Sequence, residues 1–380
     1  MQHFGFDLTE EEAMIAETAR DAAERLLAPG AAERDKTGAF PAAELAGVAQ
    51  LGFHAMKVVS AHGGIGASNV GYVLAMQALA AGCASTAVVL ASSNMAAKIV
   101  SEHGTAAQHD RFLAPYTRGQ LGPFSFALTE PSGGSDVLAM RTRAVRDGDD
   151  WVLTGEKAWI TGASHAGVHV VFARTGDGKD GITCFLVERG SRGLAIGRDE
   201  DKMGQRSSGT ATLAFDGCRV PGDRVVGALG EGYGIALSGL GAGRVGIAAL
   251  SLGIAEAAFA LGVAYAKERQ VFGQPVAAFQ NSQFVLADCR TDLDAAWLLA
   301  LRAARALDSG ARAASETSMA KLFATEACGR VVDRVVQLHG GYGYSREFAI
   351  ERLYRDARVT RIYEGTSEIQ RIVIARELLR

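Results

Sequence analysis

In "IYEGTSEIQR", residues 362–371, Glu364 stands between Tyr363 and Gly365, just ahead of a helix start. Ser367 followed by Gln370 reads as a capping box, and Ile369, Ile372, Val373 and Arg376 carry the spacing of the helix that follows. A carboxylate there can complement the helix dipole in solvent, or serve as a general base if its surroundings are dry. Three further segments carry groups suited to holding a ligand. "FALTEPSGGSD", Phe126 to Asp136, joins a strand-like run to a turn whose amides could hold an anion or a polar ring edge. In it Gly133 and Gly134 allow close approach and Ser135 adds a hydroxyl. "GEKAWITGAS" sets Trp159 and Thr161 two apart, hence on one face of a strand, an aromatic wall beside a hydroxyl. "KERQVFGQPVAAFQ" places Arg269, Phe272 and Gln280 around a break, where an arginine can cap carbonyls or grip a phosphate.

The elements that must position these residues change in texture along the chain. Residues 1–120 read as a helical domain, with alanine-rich stretches such as "EEAMIAETARDAAERLL" and Thr9 with Glu12 as a capping box. Residues 121–228 read as a β domain: "DWVLTGEKAWIT", "GVHVVFART", "GITCFLVER" and "TATLAFDGCRV" are β-branched and aromatic, separated by turn chemistry. Residues 229–380, without a proline after Pro275, read as a second helical bundle. The 380 residues, 48% hydrophobic and 21% charged, are enough for a large core divided among domains.

Composition narrows the function. A formal net charge of -3 with no basic block disfavours nucleic-acid binding. Five scattered cysteines, never as Cys-x-x-Cys, argue against a disulfide framework or zinc site and fit a reducing cytoplasm. His165 and His169 lack a carboxylate or cysteine to complete a metal set, so no metal is expected. The acidic, amphipathic N-terminus reads as neither signal nor transit peptide, and no apolar run is expected to reach transmembrane length. Among 46 glycines no Gly-x-Gly-x-x-Gly follows a strand and no P-loop occurs, which disfavours a Rossmann domain.

Taken in order, "ALTEPSGGSDVLA", "KMGQRSSGTATLAFDGCRVP", "RQVFGQPVAAFQ", "QLHGGYGYSRE" and "YRDARVTRIYEGTSEIQRIVIAR" resemble the acyl-CoA dehydrogenase family of flavoproteins along the whole chain. The resemblance implies an α+β protein: an N-terminal helical bundle, a central β-barrel and a C-terminal four-helix bundle, in a homotetramer binding FAD without a Rossmann fold. It implies that Phe126, Leu128, Thr129, Gly134 and Ser135 line the isoalloxazine and pyrophosphate, with Trp159 beside the ring and Thr161 near its N5 edge. Arg269, Phe272 and Gln280 would reach the FAD of a neighbouring subunit, Gln337 and Gly341 its adenine end, and Thr366 and Glu368 would lie near the cofactor. Ser135, Arg244, Tyr363 and Gly365 would face the acyl thioester.

In that resemblance Glu364 is the base that removes the α-proton while hydride leaves the β-carbon for flavin N5, giving the trans-2-enoyl thioester. Some relatives carry the base immediately before Arg244; here that position is Gly243. Three before Arg244, where many members have an aspartate against the pantetheine arm of CoA, stands Gly241, which opens the alternative of an acyl group held on a carrier protein. Electron-transfer flavoprotein is the implied acceptor, with oxygen as the oxidase alternative. A different class, DNA-associated or redox-silent relatives, is disfavoured by Glu364 and by the charge.

Overall fold

The computed structural model describes residues 7–380; of the N-terminal stretch read above for targeting, residues 1–6 lie outside it. Helices come first: α1 (Glu10–Ala22), α2 (Ala31–Thr37), α3 (Ala42–Gln50), α4 (Asn69–Gly82), α5 (Ala84–His103), α6 (Ala106–Gln108) and α7 (Ala114–Thr117). Capping chemistry sets several starts. The Thr9–Glu12 box closes α1 as expected, and the Ser68 hydroxyl accepts from the Gly71 N–H at the start of α4.

Strands β1 (Phe124–Ala127), β2 (Arg143–Asp147), β3 (Asp150–Ile160), β4 (Val168–Arg174), β5 (Ile182–Glu188), β6 (Leu194–Ile196), β7 (Ala211–Val220) and β8 (Val225–Val226) form one eight-stranded sheet. Its order is β6-β7-β3-β2-β4-β5-β8, with β1 parallel to β4. The sheet curls around a core of Leu153, Val171, Phe185, Leu213 and Phe215. Strands β4 and β5 are buried on both faces, which explains why they read as continuous apolar runs instead of alternating. Val171, Ala173, Phe185 and Val187 fill the sheet interior, while Val168, Val170, Phe172, Ile182, Cys184 and Leu186 join Ile99, Val100 and Ile235 of the helices. Each such fully buried apolar side chain contributes roughly 1.5–3 kcal/mol, so these two strands clamp the sheet to the bundle.

The chain then enters α8 (Gly232–Glu268), a hairpin of β9 (Gln270–Val271) and β10 (Gln274–Pro275), and helices α9 (Gln280–Asp308), α10 (Ala314–His339), α11 (Ala349–Arg358) and α12 (Ser367–Leu378). Helix α8 corrects one expectation, because it is long and apolar enough to cross a membrane. It lies in the protein core, packed against α4, α5, α9, α10 and α11. Every residue of its middle stretch, 245–255, is buried, and a helix buried all round is apolar on nearly every side there. Its glycines permit the close approach: a Cβ at Gly253 would lie 2.2 Å from the Gln77 carbonyl oxygen on α4.

Candidate active site

Glu364 occupies a strained turn between α11 and α12, with φ +52°, followed by Gly365 at φ +90°. The left-handed region costs a residue other than glycine about 1 kcal/mol, so surrounding contacts must hold it. They are visible. Gln370 Nε2 donates to the Gly365 carbonyl (2.9 Å) and the Glu364 carbonyl (3.3 Å), and Lys321 Nζ on α10 donates to the same Gly365 carbonyl at 2.9 Å. This turn shifts the expected helix start by one residue. The N-cap is Thr366, whose hydroxyl accepts from Ile369 N–H, while Ser367 Oγ donates to Glu326 Oε1 at 2.6 Å. Ser367 and Gln370 therefore form no capping box, because Gln370 is drawn back to the turn's carbonyls.

The carboxylate points into the bundle. Glu364 Oε2 is buried and without a hydrogen-bond partner. A Cβ at Gly243 of α8 would lie 2.2 Å from it and 2.9 Å from Met95 Sδ of α5, so residue 243 and the carboxylate compete for one space. Burial pushes Glu364 up to about 7, opposed by the positive charges of Lys321 and Arg244. Arg244 donates to Ser318 Oγ at 3.3 Å and leaves its Nε unpartnered. Beside the base, Tyr363 is anchored through its hydroxyl, which accepts from Gln205 Nε2 at 3.1 Å; Gln205 also binds the main chain and carboxylate of Asp356. Burial raises Tyr363 as well, keeping it a neutral phenol. Glu368 is exposed on the first turn of α12, near Thr366.

A second group lies on the sheet. Phe126 is half-buried at the end of β1 and packs on Phe172 at 5.1 Å. Beyond it the loop is fixed at its base and open at its tip. Lys157 Nζ donates to the Leu128 carbonyl (3.1 Å) and to Glu130 Oε1 (2.7 Å), the Glu130 carboxylate accepts the N–H groups of Arg141 and Thr142, and Ala158 N–H donates to the Thr129 carbonyl. Ser135 is exposed, and a Cβ at Gly133 would meet nothing within 4 Å.

Trp159 and Thr161 depart from the shared strand face that their spacing predicts. Strand β3 is irregular between Lys157 and Ile160, Trp159 sits at φ +61°, and Thr161 is in the turn beyond the strand. The bulge turns the indole outward, 61% exposed between buried Ala158 and Ile160. The bond from Ala158 N–H to the Thr129 carbonyl ties the bulge that carries this indole to the base of the Thr129–Ser135 loop. This sheet surface adjoins the bundle: Phe124 N–H donates to Ser93 Oγ, two residues before Met95 on α5.

The third group is exposed. Arg269 ends α8, its N–H donating to the Tyr265 carbonyl and its guanidinium lying over the Tyr342 ring at 5.3 Å. Phe272 caps the β9–β10 hairpin at φ +50° and is 96% exposed. Gln280 opens α9, Gln337 is in the last turns of α10 and Gly341 in the turn after it, all exposed. Lys321 and Gln337 stand 16 positions apart on α10, roughly 24 Å at 1.5 Å per residue, which separates this group from Glu364 within one chain. Of the two histidines, His165 stacks on Phe40 while His169 is buried against Ser125 Oγ at 2.7 Å.

Sequence reasoning missed Lys321 and Gln205, and gave Gln370 a capping role in place of its hold on the turn. Lys321 left a signal: a lone charge in the small-residue stripe of Thr317, Ser318, Ala324, Thr325 and Cys328, all on the buried side of α10.

Comparisons with known proteins follow the same three-part division. Residues 9–120, 125–218 and 230–379 match the families described as acyl-CoA dehydrogenase N-terminal, middle and C-terminal domains. The chain is 43% identical over 378 residues to the short-chain specific acyl-CoA dehydrogenase, mitochondrial, of Rattus norvegicus, across 98% of this chain and 91% of that protein. It is 42% identical over 375 residues to a 3-(aryl)acrylate reductase of Clostridium sporogenes, across 98% and 99%. The solved butyryl-CoA dehydrogenase from Megasphaera elsdenii superposes with a TM-score of 0.96 at 37% identity, covering 99% of this chain and 100% of that one.

Proposed function

Because this chain belongs to the acyl-CoA dehydrogenase family, we propose that it introduces a trans α,β double bond into an acyl-CoA thioester, with Glu364 taking the α-proton. The observation that carries the reading is the unpartnered, buried Oε2 of Glu364, on a carboxyl pushed up to about 7. A base works best with its proton affinity near the operating pH, and a free lone pair in a dry site is what proton abstraction uses. FAD, the cofactor the family implies, supplies hydride acceptance at the β-carbon when bound. Phe126, Leu128, Thr129, Gly134, Ser135, Trp159 and Thr161 would hold its ring and pyrophosphate, with Thr366 and Glu368 nearby.

The protein's own part is to orient and to dry. The backbone N–H of Glu364 has no hydrogen-bond partner among the described residues and would donate to the thioester oxygen as negative charge develops there. Tyr363, held by Gln205, and Gly365 would flank the reacting carbons, with Arg244 and Ser135 facing the thioester. The acyl chain would enter between α5 and α8, and the short-chain and butyryl-CoA relatives support a short one. The same base returns a proton in the reverse direction, which accommodates a relative named a reductase.

Arg269, Phe272 and Gln280 of one subunit would complete the FAD site of another in a homo-oligomer, a tetramer by family resemblance, with Gln337 and Gly341 at the adenine end. Electron-transfer flavoprotein would take the electrons, and a cytoplasmic location suits that exchange. A second reading rests on Gly241, where a Cβ would meet nothing within 4 Å: packing does not require glycine, and no carboxylate is present to meet pantetheine. An acyl group on a carrier protein, oxidised by a dehydrogenase or an oxidase, is the alternative. Anaerobic flavin bleaching by butyryl, octanoyl and carrier-linked butyryl groups decides between them. Fastest bleaching by free butyryl-CoA supports the first reading, bleaching only by the carrier-linked group the second, and no bleaching by any thioester overturns both.

A further inference from the structure

We propose that Lys321 is a positioning residue for the base: from inside the bundle it holds the Glu364–Gly365 turn and supplies a positive charge behind the carboxylate at neutral pH. The inference rests on the reading of Glu364 as that base. Lys321 is fully buried on α10, 44 residues from Gly365 in sequence, and its Nζ donates to the Gly365 carbonyl at 2.9 Å. That carbonyl does not need a lysine. Gln370 Nε2, also fully buried, already donates to it at 2.9 Å. An ammonium taken out of water carries a penalty of several kcal/mol that a neutral donor would avoid, so its charge must be answered by another charge.

The charges facing Lys321 are Glu364 first, then Glu326 on its own helix and Glu368 on α12, with Arg244 of α8 opposing. Seen from the other side, Glu364 is flanked by two cations, Lys321 and Arg244, with the phenols of Tyr72 and Tyr363 close by. Glu326 is engaged by Arg361 and Ser367 and Glu368 is exposed, which leaves Glu364 as the buried carboxylate that Lys321 balances. Burial lowers Lys321 to about 8, so it is mostly charged at neutral pH. A carboxylate in a dry cleft tends to protonate and lose its function; a nearby cation favours its charged form and moves its titration down by about 1–3 units.

The test uses the FAD-loaded enzyme with saturating butyryl-CoA and follows the pH dependence of flavin reduction by rapid mixing. Lys321→Met and Lys321→Gln should keep FAD yet move the midpoint up by about one unit or more, which lowers the rate at pH 6 about tenfold with little change in substrate affinity. Lys321→Arg, which restores the charge, should return the midpoint to within about half a unit of the parent. Carboxyl carbon NMR of the FAD-free protein, with the resonance assigned by its loss in Glu364→Gln, should show the same upward movement. If the Met and Gln variants lower the melting temperature but leave both midpoints in place, Lys321 only braces the turn and the inference falls. Should Lys321→Met fail to fold, the Gln and Arg pair decides alone. Failure of the underlying reading looks different, since Glu364→Gln would then reduce its flavin normally.

Discussion

The surroundings of Glu364 and the hairpin around Phe272 lie at opposite ends of α10 and are built in opposite ways. At the first end, side chains from α5, α8, α10 and α12 close on one carboxylate, and Glu364, Gly365, Lys321, Gln370 and Gly243 satisfy or shape one another within a single chain. At the second, Arg269, Phe272, Gln280, Gln337 and Gly341 are all exposed, and the phenyl ring of Phe272 is almost bare. A buried group is defined by its own chain, whereas a bare aromatic beside other exposed groups is open to a partner. The rate per bound FAD should therefore be robust to dilution of the protein, while cofactor retention should depend on assembly.

Substitutions at the two ends should separate these properties. Among the neighbours of the base, Gly243→Val carries the largest expected effect, because its side chain needs the space that Oε2 holds. Flavin reduction should fall by ~10²–10⁴, the usual range for a displaced general base, with FAD still bound. Rapid mixing at a rate near the parent's would show that the carboxylate is not used where it lies. Arg269→Ala comes next. Loss of a charge-assisted phosphate contact should weaken FAD retention about tenfold or more while the rate per bound FAD stays constant. Equal loss of both would mean the two ends are one site.

Phe272→Ser should act more mildly, loosening assembly severalfold with the flavin spectrum unchanged at high protein concentration; sedimentation over a dilution series reads this. An unchanged association constant would remove the hairpin from the interface. The smallest effect concerns stability. The folded-state titration of Glu364 lies above its unfolded value of 4.5, so its contribution is fully present below that pH and is lost as pH rises through about 7. Glu364→Gln, free of this loss, should melt with the parent near pH 4.5 and above it by a few degrees at pH 8. A constant gap across that range would mean the carboxyl is better solvated than its burial implies.

Much of this was legible in the sequence, for reasons that also mark the limits. The three-part succession follows from periodicity, since α1, α4 and α5 repeat apolar residues at helical spacing and β3 to β7 do not. Glu364 stood out because a carboxylate before a helix start is a local pattern. Its strained φ was not readable, and it moved the N-cap from Ser367 to Thr366. Trp159 failed for a related reason: period-two reasoning assumes an unbroken ladder, and β3 bulges between Lys157 and Ile160. The long apolar run of α8 was misjudged because a helix packed on several sides has no polar face to interrupt it. Lys321 and Gln205 escaped, and Gln370 was given the wrong role, because each serves through a partner far away in the chain or through a main-chain carbonyl, and sequence spacing reports neither.

The central claim is that Glu364 is the base, and Glu364→Gln tests it most directly. Glutamine keeps the shape, the turn and the backbone N–H while removing the proton acceptor, so the loss should fall on chemistry and not on binding. Under anaerobic rapid mixing with saturating butyryl-CoA, the variant should bind substrate, shown by a perturbed flavin spectrum, and bleach at least ~10⁴ times more slowly than the parent. The parent's rate should rise with pH through the region near 7 where the carboxyl ionises. Bleaching of the variant within tenfold of the parent's rate would contradict the account and leave Glu364 as a companion to the helix dipole.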